Sequence, residues 1–445
     1  ATGGPTVPDG PFGKFDPPIE ITTVRGVLQD AKFPKGDSID NNVWYRDYES
    51  ELGIKVKNLW VVNQEQYEQK MNVSIVAGDL PDIFKVNIKQ LQMLVDGGQI
   101  MPLDEYYEKY ASPEVKRALE NMDGILLKAA TFDGKLMAIP DNMTAGSTDS
   151  AHTFWIRTDW LQKLGLPRPK TMDDVVNAAL AFASQDPDGD GEKNSYGLIL
   201  NEEIYSGYGG VEGFFNGYGA YPKMWIKDAS GKLVYGTVQP EMKEPLRKLQ
   251  ELYKAGAIDP EFTVYLPGKA AEAAVAGKAG ISYGQFYNAM WPLGDFKKNN
   301  PDGDWGVSVI PSVDGSPGLA SVPQFAPSHY YVINANSKHP EAAFLMLNFY
   351  MDKLYGPNAQ PEIYHSIVED GENIGLFGYA VVQIGSPDPV NHIAHEKVVA
   401  AMKSGDPSQL NAEERSYYDN TLRYLDGDPT FWNIWKTFGD EENGV

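Results

Sequence analysis

Cysteine is missing from this sequence of 445 residues. Its absence excludes disulfide bonds, thiolate metal sites and cysteine nucleophiles. It leaves the redox compartment open, because a chain without cysteine is compatible with any compartment. Long apolar runs are missing as well. No stretch of about 18 apolar residues occurs, so we expect no membrane-spanning helix.

Basic residues are few compared with acidic ones. The chain has 38 Lys and Arg residues against 61 Asp and Glu residues, which gives a formal net charge of -23. Nucleic-acid binding needs clustered Lys and Arg, so we expect no nucleic-acid partner. The charge also argues against a strongly anionic ligand and favours a neutral one, although a local basic pocket can override the field of the whole protein.

Recognisable catalytic motifs are also absent. The sequence has no Gly-x-Ser-x-Gly elbow, no phosphate-binding Gly-x-x-x-x-Gly-Lys loop and no dinucleotide fingerprint after its first predicted strand. Glycosidases need two carboxylates beside the sugar bond, but among 61 acidic residues such pairs arise by accident. We therefore predict that the protein is not an enzyme. The alternatives are a secreted glycoside hydrolase or lyase and a cell-surface carbohydrate-binding adhesin.

The length exceeds what one hydrophobic core usually supports, which predicts two lobes. Strand and helix patterns alternate over residues 19–84, which predicts a parallel sheet with right-handed crossovers. A second α/β unit begins near residue 153, and Thr171 opens a helix with a capping box and an apolar period near 3.6. Residues 1–18 are rich in Gly, Pro and Thr and predict a flexible leader. No signal peptide is visible, which indicates a cytosolic protein or a mature or trimmed form.

An acidic loop covers residues 186–197, with the sequence Asp-Pro-Asp-Gly-Asp-Gly-Glu-Lys-Asn-Ser-Tyr-Gly. Oxygen donors at loop positions 1, 3, 5 and 9 and glycine at position 6 match the start of an EF-hand loop. Three converging carboxylates repel one another unless a cation offsets them. Position 12 is Gly197 rather than a bidentate Glu, so the loop is closed by a carbonyl, a serine or a distant carboxylate. We predict a structural calcium site, with a solvated acidic turn as the alternative. The predicted ligands are Asp186, Asp188, Asp190, Glu192, Asn194 and Ser195.

Two aromatic clusters predict a carbohydrate-binding surface. Residues 283–291 follow a predicted strand, at the edge where ligands bind such sheets, and residues 214–221 mix aromatic rings with glycines. Sugars offer an apolar face and a rim of hydroxyls, which aromatic rings and polar side chains match. Any single ring can equally be a core residue. Trp291 is the strongest individual candidate.

Several short stretches carry a likeness to a known family. They are Ala-Gly-Asp-Leu-Pro-Asp-Ile at 77–83, Asp-Gly-Lys-Leu-Met-Ala-Ile-Pro at 133–140, Ala-Gly-Lys-Ala-Gly-Ile at 276–281, and the segments 305–311 and 335–343. In this order they resemble the extracellular (periplasmic-type) solute-binding proteins of ABC sugar importers. This is family 1, typified by maltose-binding protein and by lipoproteins of the Paenibacillus type.

The resemblance implies an α/β, two-lobed, periplasmic-binding-protein-like fold of type II, in which discontinuous lobes are joined by a hinge. The N-terminal lobe then comprises residues 1–145, with 312–352 returning to it. The C-terminal lobe comprises residues 146–311, with 353–445 completing it. Members of the family close on their ligand by hinge motion.

The resemblance also implies a function. The protein is expected to be the substrate-binding component of an ABC transporter, capturing an oligosaccharide in an interlobe cleft for import by a membrane permease. A monomer is expected, either extracellular and anchored by a lipid on a residue preceding this sequence, or periplasmic. The acidic loop resembles the calcium loop of the oligosaccharide-binding branch, in which an acidic residue often stands at the position of Ser195.

Candidate ligand-binding residues follow from their positions after predicted strands and from their side-chain chemistry. From the first lobe we predict Arg25, Trp44, Lys85 and Asn142. From the second lobe we predict Trp155, Tyr218, Trp225, Tyr287 and Trp291.

Overall fold

The computed structural model describes residues 5–28, 31–121, 124–141, 151–321, 327–369, 372–386 and 388–441. The strands are β1 (Ile19–Val27), β2 (Ile54–Asn63), β3 (Ile83–Val86), β4 (Thr131–Phe132), β5 (Lys135–Leu136), β6 (Ile139–Pro140), β7 (Thr153–Arg157), β8 (Tyr196–Leu198), β9 (Trp225–Lys227), β10 (Leu233–Tyr235), β11 (Ala279–Gly284), β12 (Trp305–Ser308), β13 (Tyr330–Ile333), β14 (Ser366–Glu369) and β15 (Glu372–Gly375).

The helices are α1 (Val43–Asp47), α2 (Tyr67–Ala77), α3 (Ile88–Asp96), α4 (Asp104–Tyr110), α5 (Pro113–Glu120), α6 (Ile125–Ala129), α7 (Thr158–Leu164), α8 (Met172–Ser184), α9 (Glu212–Gly217), α10 (Lys243–Lys254), α11 (Pro267–Val275), α12 (Leu293–Asn299), α13 (Glu341–Leu354), α14 (Pro361–Tyr364), α15 (Val390–Ser404), α16 (Ala412–Leu425) and α17 (Trp432–Ile434). Within the described ranges, no helix combines the length and the apolar character needed to cross a bilayer.

The chain divides into two compact units, each made of two stretches of sequence. The first unit comprises residues 1–145 and 325–388, and the second comprises residues 146–324 and 389–445. The sequence-based division differs from this at residues 312–324, which it assigned to the N-terminal lobe, and at residues 353–388, which it assigned to the C-terminal lobe. Packing explains the second difference, because the indole N–H of Trp44 donates a hydrogen bond of 2.8 Å to the carbonyl of Leu376, and both residues belong to the core of the first unit.

Two sheets of the first unit contribute residues to the wall of a cavity in this unit. Strands β1 and β2 pair in parallel, whereas β13 lies between β3 and β6 and is antiparallel to both. The prediction of one parallel sheet through β3 is therefore wrong. Side-chain bonds link β1 to the start of β3 instead, because the Asp82 carboxylate accepts hydrogen bonds from the amide and the hydroxyl of Thr22, at 2.9 and 2.6 Å.

The N-terminal stretch takes part in this core. Phe15 is fully buried, and its amide donates a hydrogen bond of 2.9 Å to the carbonyl of Leu52. The amide of Thr6 donates to the carbonyl of Asp16. The prediction of a flexible leader is wrong for this part of the chain, because an apolar ring that is withdrawn from water anchors it.

The second unit is built on a four-stranded sheet in the order β12-β7-β11-β8. Successive side chains of β7 point into two different cores, since Phe154 and Ile156 belong to one apolar cluster and Trp155 belongs to another. Both faces of the sheet are covered, so β7 is buried almost along its whole length. The capping box of α8 is confirmed: the Thr171 hydroxyl accepts from the Asp174 amide, and the Asp174 carboxylate accepts from the Thr171 amide.

Candidate functional site

A cavity of about 570 Å³ lies in the second unit, where the chain leaves β11. Its volume falls within the range of about 300–1,000 Å³ that is usual for small-ligand sites. Its described lining includes five aromatic residues, namely Tyr205, Tyr208, Tyr283, Tyr287 and Trp291. Polar side chains lie between these rings, including those of His152, Glu212, Lys223, Gln285 and Asn288. The cavity therefore combines flat apolar faces with hydrogen-bonding groups.

One wall of the cavity is the tight helical turn that follows β11. The amide of Asn288 donates to the carbonyl of Gln285, and the amide of Trp291 donates to that of Tyr287, both at 3.0 Å. The Trp291 ring meets the Tyr208 ring edge-on, with centroids 5.9 Å apart and planes at 71°. Because 47% of Trp291 remains exposed, its ring forms a fixed surface on which a ligand can stack.

Another part of the cavity wall is a loop that the fully buried Asn201 holds in shape. Its amide nitrogen donates to the carbonyls of Ser206 and Tyr208, at 2.7 and 2.8 Å, and its oxygen accepts from two backbone amides of the same loop. Gly209 has a φ of +86°, which favours glycine. At Gly213, a Cβ atom would lie 2.3 Å from the Tyr283 ring, so glycine allows α9 to approach β11 closely.

Several polar atoms around the cavity have no hydrogen-bond partner. Within the part of the chain that the structure describes, the buried atoms His152 Nδ1, Glu212 Oε2, Tyr283 Oη and Asn288 Nδ2 are all unpaired. Buried polar groups in native proteins are nearly always hydrogen-bonded. Four unpaired atoms around one cavity are therefore the pattern expected of a site that binds a polar ligand.

Burial also changes the protonation of these groups. Desolvation raises the pKa of Glu212 from 4.5 to about 7, and the positive charge of Lys223 offsets part of this effect. Burial lowers the pKa of His152, which favours its neutral form. Burial raises the pKa of Tyr283 well above 10, so its hydroxyl keeps its proton and can donate a hydrogen bond.

Two predicted ligand residues, Arg25 and Lys85, line a cavity of about 420 Å³ in the first unit. The Arg25 guanidinium donates to the backbone carbonyls of residues 378–380, over distances of 2.8 to 3.1 Å. The Lys85 ammonium lies 2.8 Å from the carboxylate of the buried Asp141. The structure thus brings both residues to one polar cavity, where their charges already have protein partners.

The predictions for Trp44 and Trp155 are wrong, because both side chains are fully buried in apolar cores and present no surface to a ligand. Tyr218 packs against Phe214 and does not line the cavity of the second unit. Trp225 is 63% exposed on the β9–β10 hairpin and also lies outside that lining. Asn142 lies outside the described residues. Tyr287 and Trp291 do lie together in the cavity.

Sequence reasoning missed the residues of the Asn201 loop. Tyr208 and Glu212 line the cavity beside Trp291, although they lie about 80 residues away in sequence. The available signal was Ser-Gly-Tyr-Gly-Gly at 206–210, a glycine-rich stretch around an aromatic ring, which is typical of a loop whose backbone approaches a ligand.

The acidic loop brings one carboxylate oxygen from each of Asp186, Asp188 and Asp190 within 4.8 Å of one another. The Lys278 ammonium bridges this cluster. It donates to Asp188 Oδ2 at 3.0 Å, to Asp190 Oδ2 at 2.6 Å and to Asn194 Oδ1 at 3.0 Å, so each of its three N–H groups has an acceptor. This ammonium lowers the pKa of Asp190 to about 2.

The oxygen donors of this loop fit a hard cation in type and clustering. Asp188 Oδ1 and Ser195 Oγ are buried and, among the described residues, have no hydrogen-bond partner. Calcium takes six to eight oxygen ligands, including carboxylates and carbonyls. The lysine nevertheless contacts three of the same side chains, so a calcium ion and the Lys278 ammonium compete for them.

Comparison with known proteins identifies the family. Residues 31–353 match the family model described as bacterial extracellular solute-binding protein, and the chain belongs to this family. The resemblance inferred from the sequence is therefore confirmed.

Two curated relatives come from Bacillus subtilis (strain 168). Lipoprotein LipO is 25% identical over 323 residues, which cover 70% of this chain and 60% of LipO. The polygalacturonan/rhamnogalacturonan-binding protein YtcQ is 28% identical over 317 residues, which cover 70% of this chain and 58% of YtcQ. The chain thus spans about 60% of the length of these relatives.

The fold is also found in solved structures. An EF-hand mutant of the S. pneumoniae ABC-transporter substrate-binding protein FusA, in complex with fructo-nystose, aligns with a TM-score of 0.61 and 20% identity. The alignment covers 83% of this chain and 78% of that one. The predicted α/β fold of the type II solute-binding proteins is confirmed.

Proposed function

We propose that this protein is the substrate-binding component of an ABC transporter and that it captures an oligosaccharide for import. Membership of the solute-binding family supports this proposal, as do the saccharide ligands named for YtcQ and FusA. The observation that carries it is the cavity of the second unit, whose described lining includes five aromatic residues and four buried polar atoms without a hydrogen-bond partner. Aromatic faces suit the apolar side of a sugar ring, and the unpaired atoms suit its hydroxyls.

The lining of this cavity favours binding over hydrolysis. Among the described residues that line it, Glu212 is the single carboxylate. Hydrolysis of a glycosidic bond ordinarily needs two carboxyl groups, about 5 to 10 Å apart. The lining therefore supports a receptor rather than a glycosidase, the alternative that the sequence left open.

We infer the remaining parts of the proposal by analogy with the family. The protein acts outside the cell, either held to the membrane by a lipid on a residue preceding this sequence or free in a periplasm. It works as a monomer and delivers its ligand to a membrane permease.

The acidic loop is proposed to hold a structural calcium ion. Asp186, Asp188, Asp190 and Asn194 supply side-chain oxygens, and Ser195 and the Glu192 carbonyl lie within the same loop. The EF-hand named for the FusA mutant is consistent with a metal loop in this fold. Calcium there offsets the repulsion between carboxylates and takes part in no chemical step.

A panel of oligosaccharides tests the proposed function. The protein is mixed with kestose, maltotriose, xylotriose, chitotriose and trigalacturonate, and its melting temperature is measured with each. A sugar that binds only the folded protein raises the melting temperature by mass action. We expect a concentration-dependent rise with at least one sugar, and chromatography of the mixture showing that sugar intact. Cleavage of the sugar, or no rise with any of the five, contradicts the proposal.

A further inference from the structure

We propose that the cavity of the second unit takes an uncharged saccharide whose hydroxyl groups donate hydrogen bonds to Glu212, and that the same carboxylate excludes uronic acids. This inference rests on the proposed function and deepens it by naming the class of sugar. The named ligands of the relatives do not decide the question, because polygalacturonan is a chain of uronic acids whereas fructo-nystose is uncharged.

Glu212 lies at a fixed position in the cavity. It is the first residue of α9, and it follows the loop that Asn201 holds with four hydrogen bonds. Its Oε2 atom is buried and, among the described residues, has no partner. Gly210 brings the backbone close to this oxygen, since a Cβ atom added there would lie 2.9 Å from it. A ligand that reaches Glu212 therefore meets an acceptor whose hydrogen bonds are not fully made.

Sugar hydroxyls can supply what Glu212 lacks. Burial raises the pKa of this carboxyl to about 7, which shows that the surroundings stabilise its charge poorly. A hydrogen bond donated to the charged form offsets this cost, and such charge-assisted bonds are stronger than neutral ones. Every unsubstituted hydroxyl of a neutral sugar is a potential donor.

A uronic acid would instead bring a second negative charge beside Glu212. Two carboxylates in a poorly solvated cavity repel each other unless a cation lies between them. Lys223 is the one Lys or Arg residue in the described lining, and it is exposed to solvent, where its charge is screened. His152 is held in its neutral form by burial.

The basic residues of the first unit do not change this balance. Arg25 is engaged by three backbone carbonyls, and Lys85 is paired with Asp141. The same cavity is lined by Glu65 and Glu68. Neither cavity therefore offers a buried cation that is free to receive a sugar carboxylate, as far as the described residues extend.

Titration calorimetry at pH 8, where Glu212 is mostly ionised, tests the inference. The probes are the neutral trisaccharide that gives the largest thermal shift in the panel and trigalacturonate. We compare the wild type with Glu212→Gln and with Lys223→Met. The matched control is Glu203→Gln, which changes an exposed carboxylate of the same loop that does not line the cavity. We expect the neutral probe to bind the wild type at least a hundredfold more tightly than trigalacturonate. We expect Glu212→Gln to weaken binding of the neutral probe at least tenfold and to reduce the difference in affinity between the two probes. We expect Glu203→Gln to change binding of the neutral probe less than twofold.

Several outcomes overturn the inference and leave the proposed function intact. One is that trigalacturonate binds the wild type as tightly as the neutral probe does. If Lys223→Met then abolishes trigalacturonate binding, Lys223 receives the sugar carboxylate and the inference is wrong. Another is unchanged neutral affinity in Glu212→Gln. Because this variant removes a buried charge, we expect it to fold, and its melting curve checks this. If none of the probes binds the wild type, the proposed function itself fails.

Discussion

Trp291 holds its ring edge-on against Tyr208 and leaves about half of its side chain open to the cavity. We expect Trp291→Ala to weaken binding of the best neutral sugar by about 1–3 kcal/mol, because a stacking surface is lost. The fold should survive, since the ring is only partly buried. Calorimetry gives the affinity. Trp225→Ala is the control, because Trp225 packs on Tyr235 outside the cavity lining, and an equal loss in this control would place the sugar elsewhere.

Glu212 should also affect how the stability of the ligand-free protein depends on pH. Its pKa is about 7 in the folded protein and 4.5 ordinarily, so between these values the folded state holds a proton that the unfolded chain releases. The contribution of this group to the free energy of unfolding is therefore fully present below pH 4.5 and falls as the pH rises towards 7. In Glu212→Gln this decrease in the free energy of unfolding is absent, because glutamine does not titrate.

Melting temperatures of the wild type and Glu212→Gln across this pH range check the point. From about pH 4.5 to 7, we expect the melting temperature of Glu212→Gln to rise relative to that of the wild type. Above pH 7, the difference between the two melting temperatures should stay constant. Burial lowers the pKa of His152, so this residue makes the stability rise with pH. Because both proteins contain His152, its effect cancels in the difference between their melting temperatures. Parallel curves would show that Glu212 is not buried in the ligand-free protein.

At the scale of elements, the acidic loop and the turn before β11 are joined by Lys278. We expect Lys278→Met to lower the melting temperature in chelator, because the Asp188 and Asp190 carboxylates lose their counter-charge. Calcium should then raise the melting temperature of the variant more than that of the wild type. Lys163→Met is the control, since the Lys163 ammonium donates to the Pro187 carbonyl rather than to a carboxylate.

Thermal melting with chelator and with added calcium measures both effects. Indifference to calcium in the wild type and in Lys278→Met alike would leave the loop as a solvated acidic turn. A calcium response that Lys163→Met alters as strongly as Lys278→Met would show that the competition for carboxylates is not the cause.

Local signals in the sequence located the elements well. Gly78 ends α2 with a φ of +72°, and the capping box at Thr171 opens α8. These features depend on residues three or four positions apart, which a sequence displays directly. The pairing of β3 with β13 joins residues about 250 positions apart, and nothing local encodes it. A parallel sheet was predicted from the element order alone, and that order is compatible with more than one pairing.

The candidate site was only partly predictable for the same reason. Tyr287 and Trp291 follow a strand end, which is a local cue. Trp44 lies in α1 and Trp155 lies within β7, and their rings are buried because helices or strands from distant segments cover them. Glu212 is one of 61 acidic residues, and its special surroundings arise from the folded Asn201 loop. Burial and unpaired atoms are visible only in three dimensions.

At the scale of the whole molecule, each unit has its own core, and the chain passes between the units three times, after residues 145, 324 and 388. The first unit is closed by its second stretch of chain, in which Asn348 of α13 donates to the carbonyls of Pro11 and Tyr110, both at 2.7 Å. Residues far apart in sequence thus complete the unit that the N-terminal stretch begins.

This interleaving has a consequence for biosynthesis. The central strand of the three-stranded sheet, β13, is made only after residues 141–329 have followed β6 out of the ribosome. At about 5–20 residues per second, that takes roughly 10–40 s. Throughout this interval the nascent chain carries β3 and β6 without the neighbour that later lies between them, and unpaired strand edges invite aggregation. We therefore expect the nascent first unit to be most exposed to aggregation while the second unit is being translated.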